Sequence, residues 1–166
     1  VEAYVIDNKQ KSLSESSTYG FVKAYTNDMA EGLVYISDFY DELKEREEAE
    51  YLDEVSTVLL VINNAEVWKQ LLSDKTMSRE MSGAMKRSHD VKAFLLFAQV
   101  DNNPVGFNSS DVLKSLKEER QGILFAPVSE NKLYEISGRV KADPVFDKTM
   151  GYRFEAGTYH KIKIFE

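Results

Sequence analysis

The chain has 166 residues, of which 43% are hydrophobic and 30% are charged, and this composition is typical of one folded globular domain. A net charge of −7 argues against a general affinity for nucleic-acid backbones, because that affinity depends on clustered Lys and Arg. The lack of cysteine excludes disulfides, thiolate zinc sites and cysteine nucleophiles.

The amino-terminal part of the chain predicts a strand followed by a helix. Ala3 to Ile6 is a short apolar run, which is typical of a buried parallel strand. Because this strand begins almost at Val1, we expect the chain to be a fragment of a longer polypeptide. Asn27-Asp28 can cap the helix that follows. The predicted inward face of this helix has residues at helical spacing: Met29, Leu33, Ile36, Tyr40 and Leu43.

Thr57 to Ile62 is the most strand-like segment of the sequence, because it is rich in β-branched residues and leucine and ends at the polar pair Asn63-Asn64. We predict that it is a central strand. It includes the longest apolar run, Val58 to Ile62, which is far shorter than the roughly 20 residues needed to cross a bilayer. No signal-peptide pattern opens the chain, so we expect no direct membrane insertion by this segment.

The rest of the sequence continues to alternate between helical and strand patterns. It predicts, in order, helices over Ala65 to Leu72 and Ser78 to Ser88, a strand over Ala93 to Val100, a helix over Asp111 to Glu119, a strand over Ile123 to Ala126, a short helix over Asn131 to Val140, and a hairpin of Tyr152 to Phe154 with Tyr159 to Phe165.

This alternation predicts an α/β fold with a mostly parallel sheet, helices on both faces and the hairpin as an antiparallel edge. Ligands of such sheets bind at the carboxyl ends of the strands. The polar residues at those ends are therefore predicted to lie along one rim: Asp7-Asn8, Asn63-Asn64, Gln99 and Pro127.

The sequence lacks the usual motifs of nucleotide and metal chemistry. Neither the phosphate-binding pattern GxxxxGK[ST] nor a GxGxxG turn is present. The two histidines, His89 and His160, have no partner at metal-ligand spacing, so no metal site is predicted. No intact catalytic group can be selected from the sequence.

The segment that ends in Asn63-Asn64 has the form of a Walker B motif with amides in place of its two acidic residues. An aspartate there helps to hold Mg²⁺ and a neighbouring carboxylate orients the attacking water, whereas an amide offers neither charge nor base. Glu66 lies nearby and is the remaining carboxylate of this degenerate motif. The simpler interpretation is that the two asparagines form a turn after a buried strand.

A family resemblance rests on six segments taken together, in chain order: Tyr4 to Asp7, Val22 to Asp28, Val58 to Asn64, Phe94 to Gln99, Gly122 to Phe125 and Lys161 to Phe165. On these segments the chain resembles the FtsK/SpoIIIE-type motor ATPases. It most closely resembles the last ATPase module of the coupling ATPase of type VII secretion systems, the EssC/EccC family.

The resemblance implies a RecA-like fold without its Walker A segment, with residues 1–166 as a single partial domain. It also implies that Asp7 and Gln99 are strand ends close to nucleotide in active relatives. No cofactor is expected in this chain, whereas ATP and Mg²⁺ are expected in the parent protein. The implied location is the cytoplasmic side of a bacterial protein that is anchored in the cell membrane.

The implied role is that of a degenerate module which docks substrates or regulates the motor. Its implied partners are the other ATPase modules of the parent chain and small secreted helical hairpins of the WXG type. Trp68, Leu71 and Leu72 are candidates for a docking surface, although ordinary helix packing also explains them.

Two other interpretations stay open. In the first, the chain is the carboxyl-terminal half of an active ATP-binding module, with the Walker A segment before Val1 and Glu66 in place of the lost carboxylate. In the second, it is a fragment of a DNA translocase, which the acidic charge disfavours.

Overall fold

A computed structural model describes residues 1–51, 54–98, 110–131, 134, 136–137, 146–147 and 149–163. These residues form two compact units. The first contains the described residues up to 98 together with 110–112, and the second contains the described residues from 113 onwards.

The first unit is built on a parallel sheet of four strands in the order β2-β1-β3-β4. Its strands are β1 (Glu2–Ile6), β2 (Val22–Thr26), β3 (Val58–Ile62) and β4 (Ala93–Phe97). The predicted central strand is confirmed, because β3 pairs with β1 on one side and with β4 on the other. The register places Ile6 opposite Ile62, so β1 and β3 end at the same edge of the sheet.

One face of this sheet is covered by α1 (Met29–Glu47), α2 (Ala65–Ser73) and α3 (Lys75–Ser88). Tyr4 of β1 packs against Tyr35 of α1 with their ring centroids 6.2 Å apart. On the other face, Leu13 packs against β1 and β3 just before a short 3-10 helix, Ser14–Thr18. The predicted α/β class, a mostly parallel sheet with helices on its two sides, is confirmed.

The buried face of α1 differs in part from the predicted one. Asp28 caps the helix as predicted, because its side chain accepts a hydrogen bond from the Glu31 amide at 3.0 Å. The fully buried positions are Gly32, Ile36, Phe39, Leu43 and Arg46. The buried face is therefore rotated about the helix axis relative to the predicted one, and its border includes three half-buried residues: Met29, Leu33 and Tyr40. The two later helices were predicted correctly, except that α3 begins three residues earlier than expected.

The second unit contains most of α4 (Asp111–Glu119) and a separate antiparallel sheet in the order β5-β6-β7. Its strands are β5 (Gln121–Leu124), β6 (Met150–Glu155) and β7 (Thr158–Lys163). The terminal hairpin is confirmed, but its predicted place at the edge of the parallel sheet was wrong. It pairs with β5 instead and encloses a core of its own, formed by Val128, Tyr152 and Phe154.

Two local predictions for the second unit also need correction. β5 begins two residues earlier than the predicted strand, since Gln121 and Gly122 already pair with β6. Most of the helix predicted over Asn131 to Val140 lies outside the described residues, and the residues described there, 131, 134, 136 and 137, are not helical. The hairpin turn Ala156-Gly157 has φ values of 49° and 84°, as a tight two-residue β-turn requires.

No described helix is both long enough and apolar enough to cross a membrane.

Gly32 allows α1 to lie close to the sheet. A β-carbon at this position would come within 2.7 Å of Ile6 Cγ2 and 3.4 Å of Val67 Cγ2, both of which belong to fully buried side chains. Gly83, inside α3, has open space around it instead, with no heavy atom within 4 Å of an added β-carbon.

We therefore expect Gly32→Ala to destabilise the first unit by about 1–3 kcal/mol, the usual cost of overpacking a core. The matched control, Gly83→Ala, should be neutral or stabilising by up to about 1 kcal/mol because alanine is the better helix former. Urea unfolding followed by fluorescence of the single tryptophan, which is buried in this unit, measures both changes. A Gly32→Ala midpoint equal to that of the wild type would contradict the close packing.

Candidate functional site

The carboxyl ends of β1 and β3 bring Asp7 and Asn63 side by side. Both residues directly follow the paired strand ends Ile6 and Ile62. The backbone N–H of Asn63 donates a hydrogen bond to the Ile6 carbonyl oxygen at 2.8 Å. This confirms the part of the predicted rim formed by Asp7-Asn8 and Asn63-Asn64. Pro127 follows β5 of the antiparallel sheet and does not end a strand of the parallel one. Gln99 lies outside the described residues.

The Asp7 carboxylate is the centre of this edge. The residue is completely buried, and its two carboxylate oxygens accept five hydrogen bonds. Two donors are backbone N–H groups, those of Asn8 and Leu13, both at 2.8 Å. The other three are side-chain atoms: Ser12 Oγ at 3.3 Å, Tyr25 Oη at 2.9 Å and Asn63 Nδ2 at 2.9 Å. They come from β2, from the residue that follows β3 and from the loop after β1, so one carboxylate joins three segments to the end of β1.

These hydrogen bonds keep Asp7 ionised. Burial raises the pKa of Asp7, but the hydrogen bonds from the Leu13 and Asn8 amides and from the Tyr25 and Asn63 side chains outweigh it and hold the pKa below its ordinary value. Burial, followed by the hydrogen bond to Asp7, raises the pKa of Tyr25 to about 12. Tyr25 is therefore a protonated donor at neutral pH, and Asp7 is a charged acceptor.

Asn63 acts at this edge as a donor. Its Nδ2 donates to Asp7 Oδ1 and to Ser12 Oγ, in both cases at 2.9 Å. A carboxylate has no proton to give at neutral pH, so aspartate at position 63 could not make these bonds and would instead face the charge of Asp7. The amide is thus the side chain that this position requires.

Asn64 has a different role, since it caps α2. Its Oδ1 accepts hydrogen bonds from the Glu66 and Val67 amides at 3.0 and 3.1 Å, and its Nδ2 donates to the Asp7 carbonyl at 2.9 Å. The residue is 3% exposed. A helix cap is one of the standard uses of asparagine. Here the cap also holds the backbone of Asp7, so the two asparagines together fix both the side chain and the main chain of this residue.

Glu66 lies in the first turn of α2 and points to solvent. It forms an ion pair with Lys9 at 2.5 Å, and about half of its side chain is exposed. An exposed pair of this kind contributes about 0–1 kcal/mol to stability. Glu66 is not among the hydrogen-bonding partners of Asp7, which are supplied by the loop after β1, by β2 and by Asn63.

Trp68, Leu71 and Leu72, the candidates for a docking surface, are too buried to form one together. Trp68 is 6% exposed and packs on Phe97 with ring centroids 5.3 Å apart, and Leu71 is fully buried. Only Leu72 is half-buried. Trp68 and Leu71 therefore belong to the core between the helices and the sheet, which is the alternative that the sequence left open.

A Mg²⁺-nucleotide site does not fit this edge as it is built. A carboxylate has about four lone-pair positions, and the five hydrogen bonds to Asp7 already use them. The Nδ2 hydrogens of Asn63 point toward Asp7 and Ser12. Their partial positive charge would repel a cation placed there. Among the described residues, no group of three or more His, Cys, Asp or Glu side chains could hold a metal ion.

Asp7, Asn63 and Asn64 could be identified from the sequence, whereas Ser12, Tyr25 and the backbone N–H of Leu13 could not. A signal for these donors was present, because an aspartate at the end of a buried strand needs hydrogen-bond donors near it. This expectation did not say which residues would be the donors. Tyr25 lies on β2, a strand that the hydrophobic pattern did not predict, and a backbone N–H has no sequence signature.

No protein-family model and no curated protein matches the chain. Three of the solved structures that match the chain are described here. The first is described as the cytoplasmic domain of EssC, with 20% identity and a TM-score of 0.68, and the match covers 98% of this chain and 31% of that one. The second is EssC (ATPases 2 and 3) from Geobacillus thermodenitrificans, with 19% identity, a TM-score of 0.76 and the same coverage of 98% and 31%.

The third is the cytoplasmic domain of the Thermomonospora curvata type VII secretion ATPase EccC, with 14% identity and a TM-score of 0.70. That match covers 99% of this chain and 20% of the EccC chain. The chain thus spans about a third or less of the structures it matches. The likeness confirms that its fold is that of the EssC and EccC structures, as the sequence resemblance implied.

We expect Asn63→Asp to destabilise the first unit by at least about 2 kcal/mol at neutral pH, because it removes hydrogen bonds to a charged group and adds a like charge beside it. One carboxyl of the new pair should have a raised pKa. Its protonation as the pH falls relieves the repulsion, so the loss should be smaller near pH 5 than near pH 8.

Asn63→Leu is the matched control, since it removes the donor without adding charge. Its loss of stability should change less over this range than that of Asn63→Asp, because it adds no second carboxyl and the pKa of Asp7 in the wild type lies below its ordinary value. Urea midpoints at the two pH values measure both variants. An equal loss for Asn63→Asp at pH 5 and pH 8 would contradict the pairing.

Proposed function

We propose that the chain is a module of a type VII protein secretion motor that does not hydrolyse ATP and instead docks substrates or regulates the motor. The observation that carries the proposal is the pairing of Asn63 Nδ2 with the Asp7 carboxylate, at the strand end where a motor ATPase would hold its metal. The shared fold of the EssC and EccC structures supports the assignment to a secretion motor.

The chemistry of ATP hydrolysis supports a role without turnover. Phosphoryl transfer is catalysed mainly by positioning and by charge, with Mg²⁺ held by a carboxylate and the attacking water oriented by a polar group. Here position 63 offers an amide, position 64 caps a helix and Asp7 is saturated by its donors. In this proposal ATP and Mg²⁺ act in other modules of the parent protein.

The proposed partners follow from the same assignment. They are the other ATPase modules of the parent chain and small helical-hairpin substrates of the WXG type, which meet the module on the cytoplasmic side of a membrane-anchored protein. Two of the matched structures are described as cytoplasmic domains, and one contains ATPases 2 and 3. The net charge of −7 supports a protein partner rather than a nucleic acid.

Calorimetric titration tests the proposal. Mg²⁺-ATP titrated into the chain should give no saturable heat up to high micromolar concentration. Titration with a WXG-type hairpin, or with a neighbouring ATPase module, should give binding in the micromolar range. If neither of these two proteins binds at high micromolar concentration, the docking and regulatory role is wrong.

Glu66→Gln separates this proposal from an active module that uses Glu66 as its carboxylate. The exchange removes the charge and keeps the size of the side chain. We expect no ATP turnover above background, measured as phosphate release, from the wild-type module extended by the segment before Val1, where the rival interpretation places Walker A, or from its Glu66→Gln variant. Turnover by the wild type that Glu66→Gln abolishes would show that the module is active and would overturn the non-hydrolysing role.

A further inference from the structure

A groove with a volume of about 400 Å³, which we call the α1–α3 groove, lies at the surface between these two helices of the first unit. Ligand sites typically have volumes of about 300–1,000 Å³. The groove is lined by Tyr40 and Lys44 on α1 and by Arg79, Gly83 and Arg87 on α3. On each helix these residues are four positions apart, so they follow one ridge of that helix.

Gly83 leaves a gap in the α3 ridge that the fold itself does not require. An added β-carbon would meet no heavy atom within 4 Å, and the φ of Gly83 does not lie in the left-handed region. Glycine inside a helix lowers its stability relative to alanine. Gly32 is different, because a β-carbon there would come too close to Ile6. The gap at Gly83 therefore serves the outer side of α3, where it allows a ligand to approach the helix backbone.

Arg79 differs from the other two cations of the α1–α3 groove because it has no partner among the described residues. Lys44 forms an ion pair with Asp41 at 2.9 Å. Arg87 forms an ion pair with Glu47 at 3.1 Å, which joins α3 to α1 at one end of the groove. The exposed guanidinium of Arg79 is thus available to a ligand, and its parallel N–H groups fit a carboxylate.

Tyr40 offers a second donor in the α1–α3 groove. Its hydroxyl is buried and has no hydrogen-bond partner in the part of the chain that the structure describes. Burial, followed by the charge of Glu80, raises the pKa of Tyr40 well above its ordinary value, so the hydroxyl is a donor at neutral pH. A buried donor without an acceptor costs free energy, which an acceptor supplied by a ligand would recover.

The groups that line the groove favour a peptide over an inorganic anion or an apolar small molecule. Arg79 fits an acidic side chain, and Tyr40 can donate to a backbone carbonyl. Glu80 also has no partner among the described residues, and it can accept from backbone N–H groups of a peptide. The same carboxylate would repel a phosphate, and the charged residues on both helices do not suit an apolar ligand.

We propose that the α1–α3 groove binds a peptide segment with an acidic side chain, whose carboxylate pairs with Arg79 and whose main chain lies over Gly83. The inference gives the docking role a location. It rests on the proposed function only for its biological use, since the binding itself is tested with a synthetic peptide.

The test uses the isotope-labelled 166-residue chain and two short capped peptides that differ only in charge. One peptide contains two glutamates, and the other has glutamines in their place. The glutamate peptide should give saturable NMR shifts, centred on the residues of α1 and α3 that line the groove. The glutamine peptide should bind roughly tenfold more weakly, because it lacks the charge-assisted hydrogen bonds to Arg79.

Two variants test the two parts of the site. Arg79→Gln removes the charge and Gly83→Gln fills the gap, and each should weaken binding of the glutamate peptide by roughly tenfold. Lys86→Gln is the matched control, because it removes one positive charge from an exposed position of α3 that does not line the groove. It should leave the affinity nearly unchanged. The NMR spectrum of each variant also shows whether it is folded.

The proposal is wrong if the glutamate peptide gives no saturable shifts up to millimolar concentration, or gives shifts centred outside the groove. Equal affinity for the two peptides would contradict the pairing with Arg79. Equal losses for Arg79→Gln and Lys86→Gln would show a general attraction of charge instead of a site. These titrations contain neither ATP nor a secretion partner, so they succeed or fail independently of the calorimetric titrations.

Discussion

The first unit depends on the burial of one negative charge. Asp7 has no exposure to solvent, and a carboxylate without water is stable only when donors surround it. Five donors do so, and they fix the loop after β1, the side chain of Tyr25 on β2 and the side chain of Asn63 just after β3. Asn64 adds a hydrogen bond to the Asp7 carbonyl and begins α2 at the same point.

Much of this arrangement could be predicted from the sequence. Continuous apolar runs indicated β1, β3 and β4, and their polar ends indicated the edge where Asp7 and Asn63 meet. What the sequence missed depended on tertiary contacts. The inward face of α1 is centred on Phe39, because Gly32 lets this helix approach Ile6 and so turns a different stripe toward the sheet. The hairpin joined β5 because aromatic residues of β6 and β7 form a core with Val128.

The two asparagines show how much a sequence pattern leaves open about the role of each residue. The sequence indicated that positions 63 and 64 lack the charge of a Walker B motif, which is a statement about what is absent. The hydrogen bonds show what each amide does: Asn63 donates to a buried carboxylate, and Asn64 accepts from the first amides of a helix. Only coordinates distinguish these roles, because the same residue type serves both.

The pairing of Asp7 with Asn63 also limits how this sequence can evolve. A carboxylate at position 63 costs stability as long as Asp7 is charged, and the loss of Asp7 alone leaves four other donors without their acceptor. The two positions are therefore epistatic, and each single change passes through a less stable protein. Replacing Asn63 by a carboxylate without loss of stability would therefore need a second substitution at position 7, so we expect the two residues to be exchanged together or not at all.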